Sequence, residues 1–270
     1  MIGVMNRLGG ELVATAVVRP SMAPDMFLLS WAEGVLREAL YRSPLLAARP
    51  YEIFGQGSRV NNTYLEQGSD IDLVLMLKTP FESNGYGWEE FRDDVLAALG
   101  ESYTVRMGRR CLNVDDPDSL FGEMVDILVA TEYAGAEQGV FFRDREGRPI
   151  VNFPKQHRRN GDAKDLRTGG RFKEVVRTAK RAKRRAERER MIADGAAPSY
   201  LLECLLYNVP DHVYRTSSVE EAYHGALRWL RGCELAGLPC QNGINRIFGP
   251  GPDQWVPGAA GRIIDVLHEI

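Results

Sequence analysis

The sequence predicts an α/β lobe followed by an all-helical lobe, with a functional cleft between them. Three observations predict it. Up to about residue 155, short apolar runs bounded by turn signals alternate with helical stripes. Beyond that point the apolar residues recur only at helical spacing. A chain of 270 residues, 44% of them hydrophobic, has enough material for two lobes sharing a cleft. The division falls at 20–155 for the first lobe, including a long N-terminal helix, and 156–270 for the second.

The elements follow in order. Residues 1–20 show no clear period. Between Asp25 and Tyr41, Phe27, Trp31, Val35, Leu36 and Leu40 recur at helical spacing, and Ser43-Pro44 ends the helix. Tyr51 to Phe54 reads as a short strand broken by a tight turn at Gly55-Gln56-Gly57-Ser58. Ile71 to Leu77 is a second strand, and Gly85-Tyr86-Gly87 a loop. A helix then carries Trp88, Phe91, Val95 and Leu99 on one face and closes at Gly100. Tyr103 to Val114 offers one or two strands and Met124 to Ala130 another. Gly139 to Phe153 forms a hairpin turning near Arg145-Glu146-Gly147. The second lobe opens on a helix from Arg171 to about Met191, striped by Phe172, Val175, Val176, Ala179, Ala182 and Ala186. Tyr200 to Tyr207 is a compact apolar helix. Ser218 starts another, with Glu221 in a capping-box position and Gly237 closing it. Trp88 and Trp229 are expected in the core, and His212, His224 and His268 at the surface without partners.

Charge and cysteine usage narrow the function classes. The net charge is only −3, yet residues 155–190 hold 15 Lys/Arg against 5 Asp/Glu. Such a block is either a solvated helix face or a site for an anionic partner such as a polyphosphate or a nucleic acid. The four cysteines, Cys111, Cys204, Cys233 and Cys240, form no C-x-x-C pair and no zinc spacing, so idle thiols in a reducing cytosol are expected. No apolar run is long enough to span a bilayer, and the expected location is the cytoplasm.

The chemistry centres on Asp70 and Asp72. Residues i and i+2 of a strand share a face, so both carboxylates reach one point. Clustered carboxylates suit a pair of divalent ions, Mg²⁺ or Mn²⁺, that activate an attacking oxygen and hold a leaving group. Asp126 stands inside the apolar run Met-Val-Asp-Ile-Leu-Val, where a charge is costly unless paired or metal-bound. It is the candidate third ligand and general base; a buried structural ion pair is the alternative. Gly57-Ser58, twelve residues before Asp70, supplies a turn whose backbone can approach phosphate closely.

The segments Phe54-Gly55-Gln56-Gly57-Ser58, Asn61-Asn62-Thr63 and Gly68-Ser69-Asp70-Ile71-Asp72-Leu73 resemble the polymerase-β-like nucleotidyltransferases. Asn152-Phe153-Pro154-Lys155-Gln156-His157, Asn160-Gly161, Lys164, Thr168-Gly169-Gly170, Phe172-Lys173, Val176-Arg177 and Pro198-Ser199-Tyr200 through Asn208-Val209-Pro210 narrow the resemblance. They are similar to the uridine-using branch of the bacterial CD-NTases, relatives of cGAS and DncV that make cyclic oligonucleotide signals in anti-phage defence. The likeness covers roughly residues 50–215.

It implies a polymerase-β-like core, a mixed sheet with flanking helices, joined to a helical lobe. It implies that Asp70, Asp72 and Asp126 ligate the metals and that Gln56, Gly57 and Ser58 hold the donor triphosphate. Lys180 takes the place of the family's triphosphate lysine, with Lys173 as its alternative. Ser199-Tyr200 takes the place of a pair that binds phosphate and stacks on a base. Without the resemblance, Ser199 and Tyr200 would read as a helix cap and a packing aromatic. Lys164-Asp165 stands where many relatives have Lys-Asn; if Asp165, with Asn160, reads the base, a carboxylate favours a base that offers an amino donor. His157 is read as a structural or phosphate-positioning residue in a basic loop. The implied activity is template-independent joining of NTPs into a cyclic product with release of pyrophosphate. A downstream effector would act through that product, and neither a membrane nor stable nucleic-acid binding is required. The alternatives are transfer to an RNA 3′ end, a small molecule or a protein hydroxyl, and a non-enzymatic nucleotide-binding module.

Overall fold

The computed structural model describes residues 24–65, 70–78, 86–115, 125–133 and 138–270, with side chains from residue 29 onward. The expected features at residues 1–20, Gly68-Ser69, Gly85 and Met124 lie outside these, as does the Phe27 side chain.

The first lobe is built on one mixed sheet. Helix α1 (Pro24–Arg42) precedes strand β1 (Tyr51–Gly55), the one-turn helix α2 (Gly57–Val60), strand β2 (Ile71–Leu77) and helix α3 (Trp88–Gly100). Strands β3 (Thr104–Met107), β4 (Leu112–Asp115), β5 (Val125–Tyr133), β6 (Gly139–Arg143) and β7 (Pro149–Asn152) follow. The strand order is β1-β2-β5-β4-β3, with the β6-β7 hairpin added along the far end of β5. The central pair β2 and β5 is parallel, and its register sets Asp72 beside Asp126.

Strand alternation divides the sheet into two faces. Ile71, Leu73, Leu75 and Leu77 pack with Leu36, Leu40, Phe91 and Val95 beneath α1 and α3. Val74 and Met76 face the other way, packing with Leu128, Ala130, Phe142 and Ile150. Asp72 and Asp126 therefore share the second face, at the strand starts just beyond its apolar floor.

The chain turns helical immediately after β7. Helices α4 (Pro154–Arg167), α5 (Arg171–Arg188), α6 (Ser199–Asn208), α7 (Asp211–Tyr214), α8 (Val219–Gly232) and α9 (Pro257–Glu269) make the second lobe around one core, from Phe172 to Leu267. Helix α4 corrects the expected basic loop. Its buried face is made by Gln156, His157, Gly161 and Lys164, polar or small residues that leave no apolar period to read. Helix α8 ends at Gly232 rather than Gly237 because Cys233 already has an extended backbone, while Ser218 caps its start by accepting from the Glu221 N–H at 3.0 Å. His224 and His268 are not isolated: their rings meet edge to face at 5.8 Å.

The basic block also looks different once folded. Lys155 pairs with Glu52, Lys164 and Arg167 with Asp211, Lys173 with Asp162, Lys180 with Glu203 and Arg185 with Glu189. Much of the charge that suggested an external anion is answered within the chain.

Candidate active site

A cavity of about 720 Å³ lies between the sheet and the helical lobe. Its size falls within the roughly 300–1,000 Å³ usual for ligand sites. Gln56, Gly57, Ser58 and Asp72 line it from the core; Lys180, Ser199, Tyr200 and Glu203 line it from the helices. Six of the residues expected from sequence to hold nucleotide thus meet in one place.

Gly57 is required twice over. Its φ of +74° lies in the left-handed region, and a Cβ there would sit 1.9 Å from Asp72 Oδ2. The turn is also tied to the strand by the Gln56 N–H, which donates to the Asp72 carbonyl at 2.9 Å. The Gly57-Ser58 turn and the Asp72 carboxylate are thereby set against each other. The first N–H groups of a helix such as α2 have no partner within the helix, so they are available to an oxyanion.

The carboxylates are electrostatically frustrated. Burial, then the charges of Asp126 and Asp70, push the Asp72 carboxyl up to about 7. Asp126 is raised as well, by burial and by Asp70, against a 2.6 Å hydrogen bond donated by Asn113 Nδ2. Among the described residues no group of three His, Cys, Asp or Glu is drawn together as a closed metal cage. Two registered carboxylates with a third in electrostatic range form an open set of hard oxygen donors. This set fits a divalent cation that keeps water and substrate oxygens as its other ligands.

Across the cavity the charges are satisfied. Glu203 is buried in α6, and Lys180 Nζ donates to its Oε1 at 2.5 Å. Thr63 Oγ1 donates to the same oxygen at 2.8 Å, and His157 Nε2 lies 2.9 Å from Oε2. Lys180 Nζ also donates to the Thr63 carbonyl at 3.1 Å and to Thr63 Oγ1 at 2.9 Å. Burial would raise the Glu203 carboxyl, but the His157 hydrogen bond and the Lys180 charge outweigh it and hold the group far below the usual range. The Thr63 N–H donates to the Ser58 carbonyl at 2.9 Å, so this network joins the Gly57-Ser58 turn to the helical lobe. His157 continues it toward Tyr200, stacked on that ring at 5.0 Å and 21°. Tyr200 in turn lies at 6.2 Å and 29° from Trp255.

The remaining expected residues are placed elsewhere. Asp165 Oδ1 accepts the Lys173 N–H at 2.9 Å, capping the start of α5, while Lys173 Nζ pairs with Asp162. Asn160 Nδ2 donates to the Gln241 carbonyl at 2.9 Å. None of the three lines the cavity. Glu203 and Thr63 were missed as functional residues. The signal for Glu203 was present, one acid in Leu-Leu-Glu-Cys-Leu-Leu, the same pattern that marked Asp126.

A nucleotidyltransferase-type core with paired carboxylates beside a Gly-Ser turn, closed by a helical lobe, defines the class. Comparisons with known proteins agree. The profile of the cGAS/DncV-like nucleotidyltransferase C-terminal helical domain matches residues 159–270. The chain is 32% identical to the cyclic UMP-AMP synthase of Rhodothermus marinus, covering 87% of this chain and 89% of the relative. It is 31% identical to the cyclic dipyrimidine nucleotide synthase CdnE of Cecembia lonarensis, covering 74% and 75%. The solved structure of the Rhodothermus marinus CdnE c-UMP-AMP synthase with Apcpp and Upnpp superposes with a TM-score of 0.74 at 29% identity, covering 89% and 90%. Vibrio cholerae DncV shares the fold at a TM-score of 0.55 and 17% identity, over 90% of this chain and 71% of DncV. The chain belongs to the bacterial CD-NTases, the cGAS/DncV-like nucleotidyltransferases, in their CdnE branch.

Proposed function

We propose that this chain joins nucleoside triphosphates into a cyclic dinucleotide, releasing one pyrophosphate for each bond formed. The observation that carries the reading is the meeting of Asp72 and the Gly57-Ser58 turn on one wall of a cavity closed by Lys180, Ser199 and Tyr200, with Asp126 registered beside Asp72 in the sheet. Relatives named as cyclic UMP-AMP and cyclic dipyrimidine synthases support a product containing a pyrimidine and a role in signalling. The lobes act as units 20–155 and 156–270, the first holding the reacting phosphate and the second closing over the bases.

The residues carry distinct tasks. Gly57 and Ser58 present N–H and hydroxyl donors to the donor triphosphate, with Gln56 setting the turn. Asp70, Asp72 and Asp126 would hold two Mg²⁺ or Mn²⁺ ions, in a family generally dependent on divalent metal. Bound there, such ions lower the pKa of an attacking hydroxyl and neutralise charge on the leaving pyrophosphate. Asp126, held by Asn113, would take the proton of the ribose hydroxyl. Lys180 brings cationic charge to the triphosphate side, and the His157–Tyr200 stack offers an aromatic wall to a base. Most of the acceleration then comes from positioning and fixed charge.

The test is direct. The pure protein is incubated with all four NTPs and Mg²⁺ or Mn²⁺, and phosphatase is added afterwards. A phosphatase-resistant cyclic dinucleotide is expected. Tailing of an added RNA instead of cyclisation would move the protein to the alternative acceptor class. No NTP consumption in any arm would overturn the enzymatic reading.

A further inference from the structure

A second cavity, of about 120 Å³, adjoins the catalytic one at Arg110 and is lined by five arginines: Arg92, Arg109, Arg110, Arg143 and Arg145. They come from separate elements. Arg92 is on α3, Arg109 and Arg110 are in the β3–β4 turn, Arg143 ends β6 and Arg145 is in the β6–β7 turn. The backbone holds the two turns together, the Arg145 N–H donating to the Arg109 carbonyl at 2.8 Å. Two of the five are answered by carboxylates. Arg92 pairs with Asp93 at 2.7 Å and lies 4.7 Å from the Trp88 ring, and Arg143 pairs with Glu89 at 3.1 Å. Asp144 is taken by Arg148, which lies outside the cavity. Among the described residues Arg109 and Arg145 form no ion pair; Arg110 donates to the Pro252 carbonyl at 3.2 Å and has Asp253 and Asp144 in electrostatic range, so Glu89 and Asp144, the two acids lining the cavity, stand against five arginines.

Gathering like charges is costly unless an ion of the opposite sign sits among them. Guanidinium groups arriving from different directions suit a tetrahedral oxyanion, each offering paired N–H donors. The cavity is smaller than the roughly 300 Å³ at the lower end of nucleotide-sized sites, so it takes a single phosphoryl group. The rest of the ligand would lie outward, over the exposed Arg109 and Arg145. We propose that this cavity is an anion site for one phosphoryl group of a phosphate-bearing ligand, separate from the catalytic site. Arg110 lines both cavities and reaches Pro252 of the segment that carries Asp253, another wall residue of the catalytic cavity. A phosphoryl group that draws Arg110 toward itself changes that wall, so occupancy is coupled to the catalytic cavity.

The full chain in EDTA is titrated with inorganic phosphate, and with chloride at matched ionic strength, while melting temperature and binding heat are followed. A saturable rise in melting temperature that chloride does not reproduce is expected. The doubly substituted Arg109→Ser/Arg145→Ser chain, altered only on exposed turns, should melt like the parent and bind phosphate at least tenfold more weakly. The charge-pair variant Lys180→Met/Glu203→Gln, in the catalytic cavity, strands neither partner and should bind phosphate as the parent does. Equal binding by parent and arginine double variant, or loss confined to the charge-pair variant, would overturn the proposal. Short RNAs with and without a 5′-phosphate separate the sources. Preference for the 5′-phosphorylated strand assigns a terminal phosphate, and equal binding of both assigns a backbone phosphodiester. If the chain turns over NTPs as proposed, saturating phosphate should shift their KM at least threefold in the parent and not in the arginine double variant. An unchanged KM would overturn the coupling, and absence of turnover would count against the reaction while the binding readout still stands.

Discussion

Asp72 and Glu203 face the same cavity from opposite lobes, both carboxylates withdrawn from water, and their surroundings push them in opposite directions. Around Asp72, burial and the charges of Asp126 and Asp70 outweigh those of Lys180 and Arg59, and the carboxyl is pushed up to about 7. Around Glu203 stand the Lys180 ammonium, the His157 ring and the Thr63 hydroxyl, and the carboxyl is held far below its usual range. The difference separates two tasks. A carboxylate whose cations belong to the chain fixes geometry; one left among other carboxylates is suited to cations that arrive with substrate.

The sharpest way to break this contrast is to neutralise each side in turn. Asp72→Asn removes a hard ligand from the reacting centre. Nucleotide turnover should fall by several kcal/mol of transition-state stabilisation, roughly 10³-fold or more. The melting temperature should hold or rise, because the substitution relieves repulsion with Asp126 and Asp70. A large loss of stability with turnover retained would show that Asp72 is structural. Gly57→Ala attacks the same wall from the other side. The new Cβ would meet Asp72 Oδ2 at 1.9 Å and take a φ of +74°. Backbone strain of about 1–3 kcal/mol is expected in denaturant unfolding. Turnover should fall about 10²-fold, as expected for a misplacement near 1 Å.

On the opposite wall the order of effects reverses. Glu203→Ala breaks a buried ion pair and strands Lys180, so unfolding free energy should drop by about 3–5 kcal/mol. Turnover should fall only about tenfold where the protein stays folded, since the bond-forming groups are untouched. The double variant Lys180→Met/Glu203→Gln removes both charges and should recover much of that stability. If it is as unstable as Glu203→Ala, the pair is not what holds the lobes at Thr63.

How far this contrast was legible in the sequence depends on how each residue is held. Asp72 and Asp126 could be singled out because strand alternation and an apolar context fix both their face and their cost, whereas Asp70 stands just before β2. The sheet order was not legible, since pairing Asp72 with Asp126 depends on a parallel register between strands far apart in sequence. Helix α4 was read as a basic loop because the side it buries is His157, Lys164, Gln156 and Gly161. Its stability comes from hydrogen bonds to distant residues such as Glu203 and Asp211, which no local pattern encodes. The same blindness put Asp165 at a base. Its carboxylate meets the Lys173 N–H instead, because the tight turn at Thr168-Gly169-Gly170 folds the end of α4 back onto the start of α5.

The mildest test concerns another charge pair held within the helical lobe. Lys164 Nζ donates to Asp211 Oδ1 at 2.9 Å and to the Val209 carbonyl at 2.7 Å, and Arg167 Nε donates to Asp211 Oδ2 at 2.7 Å. Burial raises the Asp211 carboxyl, but the hydrogen bonds from Arg167 and Lys164 prevail and hold it at about 2. A carboxylate lowered in the folded state contributes stability that is fully present above its unfolded pKa, near 4. That contribution is lost as pH falls from about 4 toward about 2. Asp211→Asn should therefore reduce stability at pH 7 modestly and flatten the acid limb of the unfolding curve within that window. It should leave nucleotide turnover near the parental value, because neither Asp211 nor Lys164 lines the cavity. An acid limb unchanged by Asp211→Asn would place the lobe's acid sensitivity on Glu203 instead. The two walls of the cavity would then differ in their response to acid as well as in their charge.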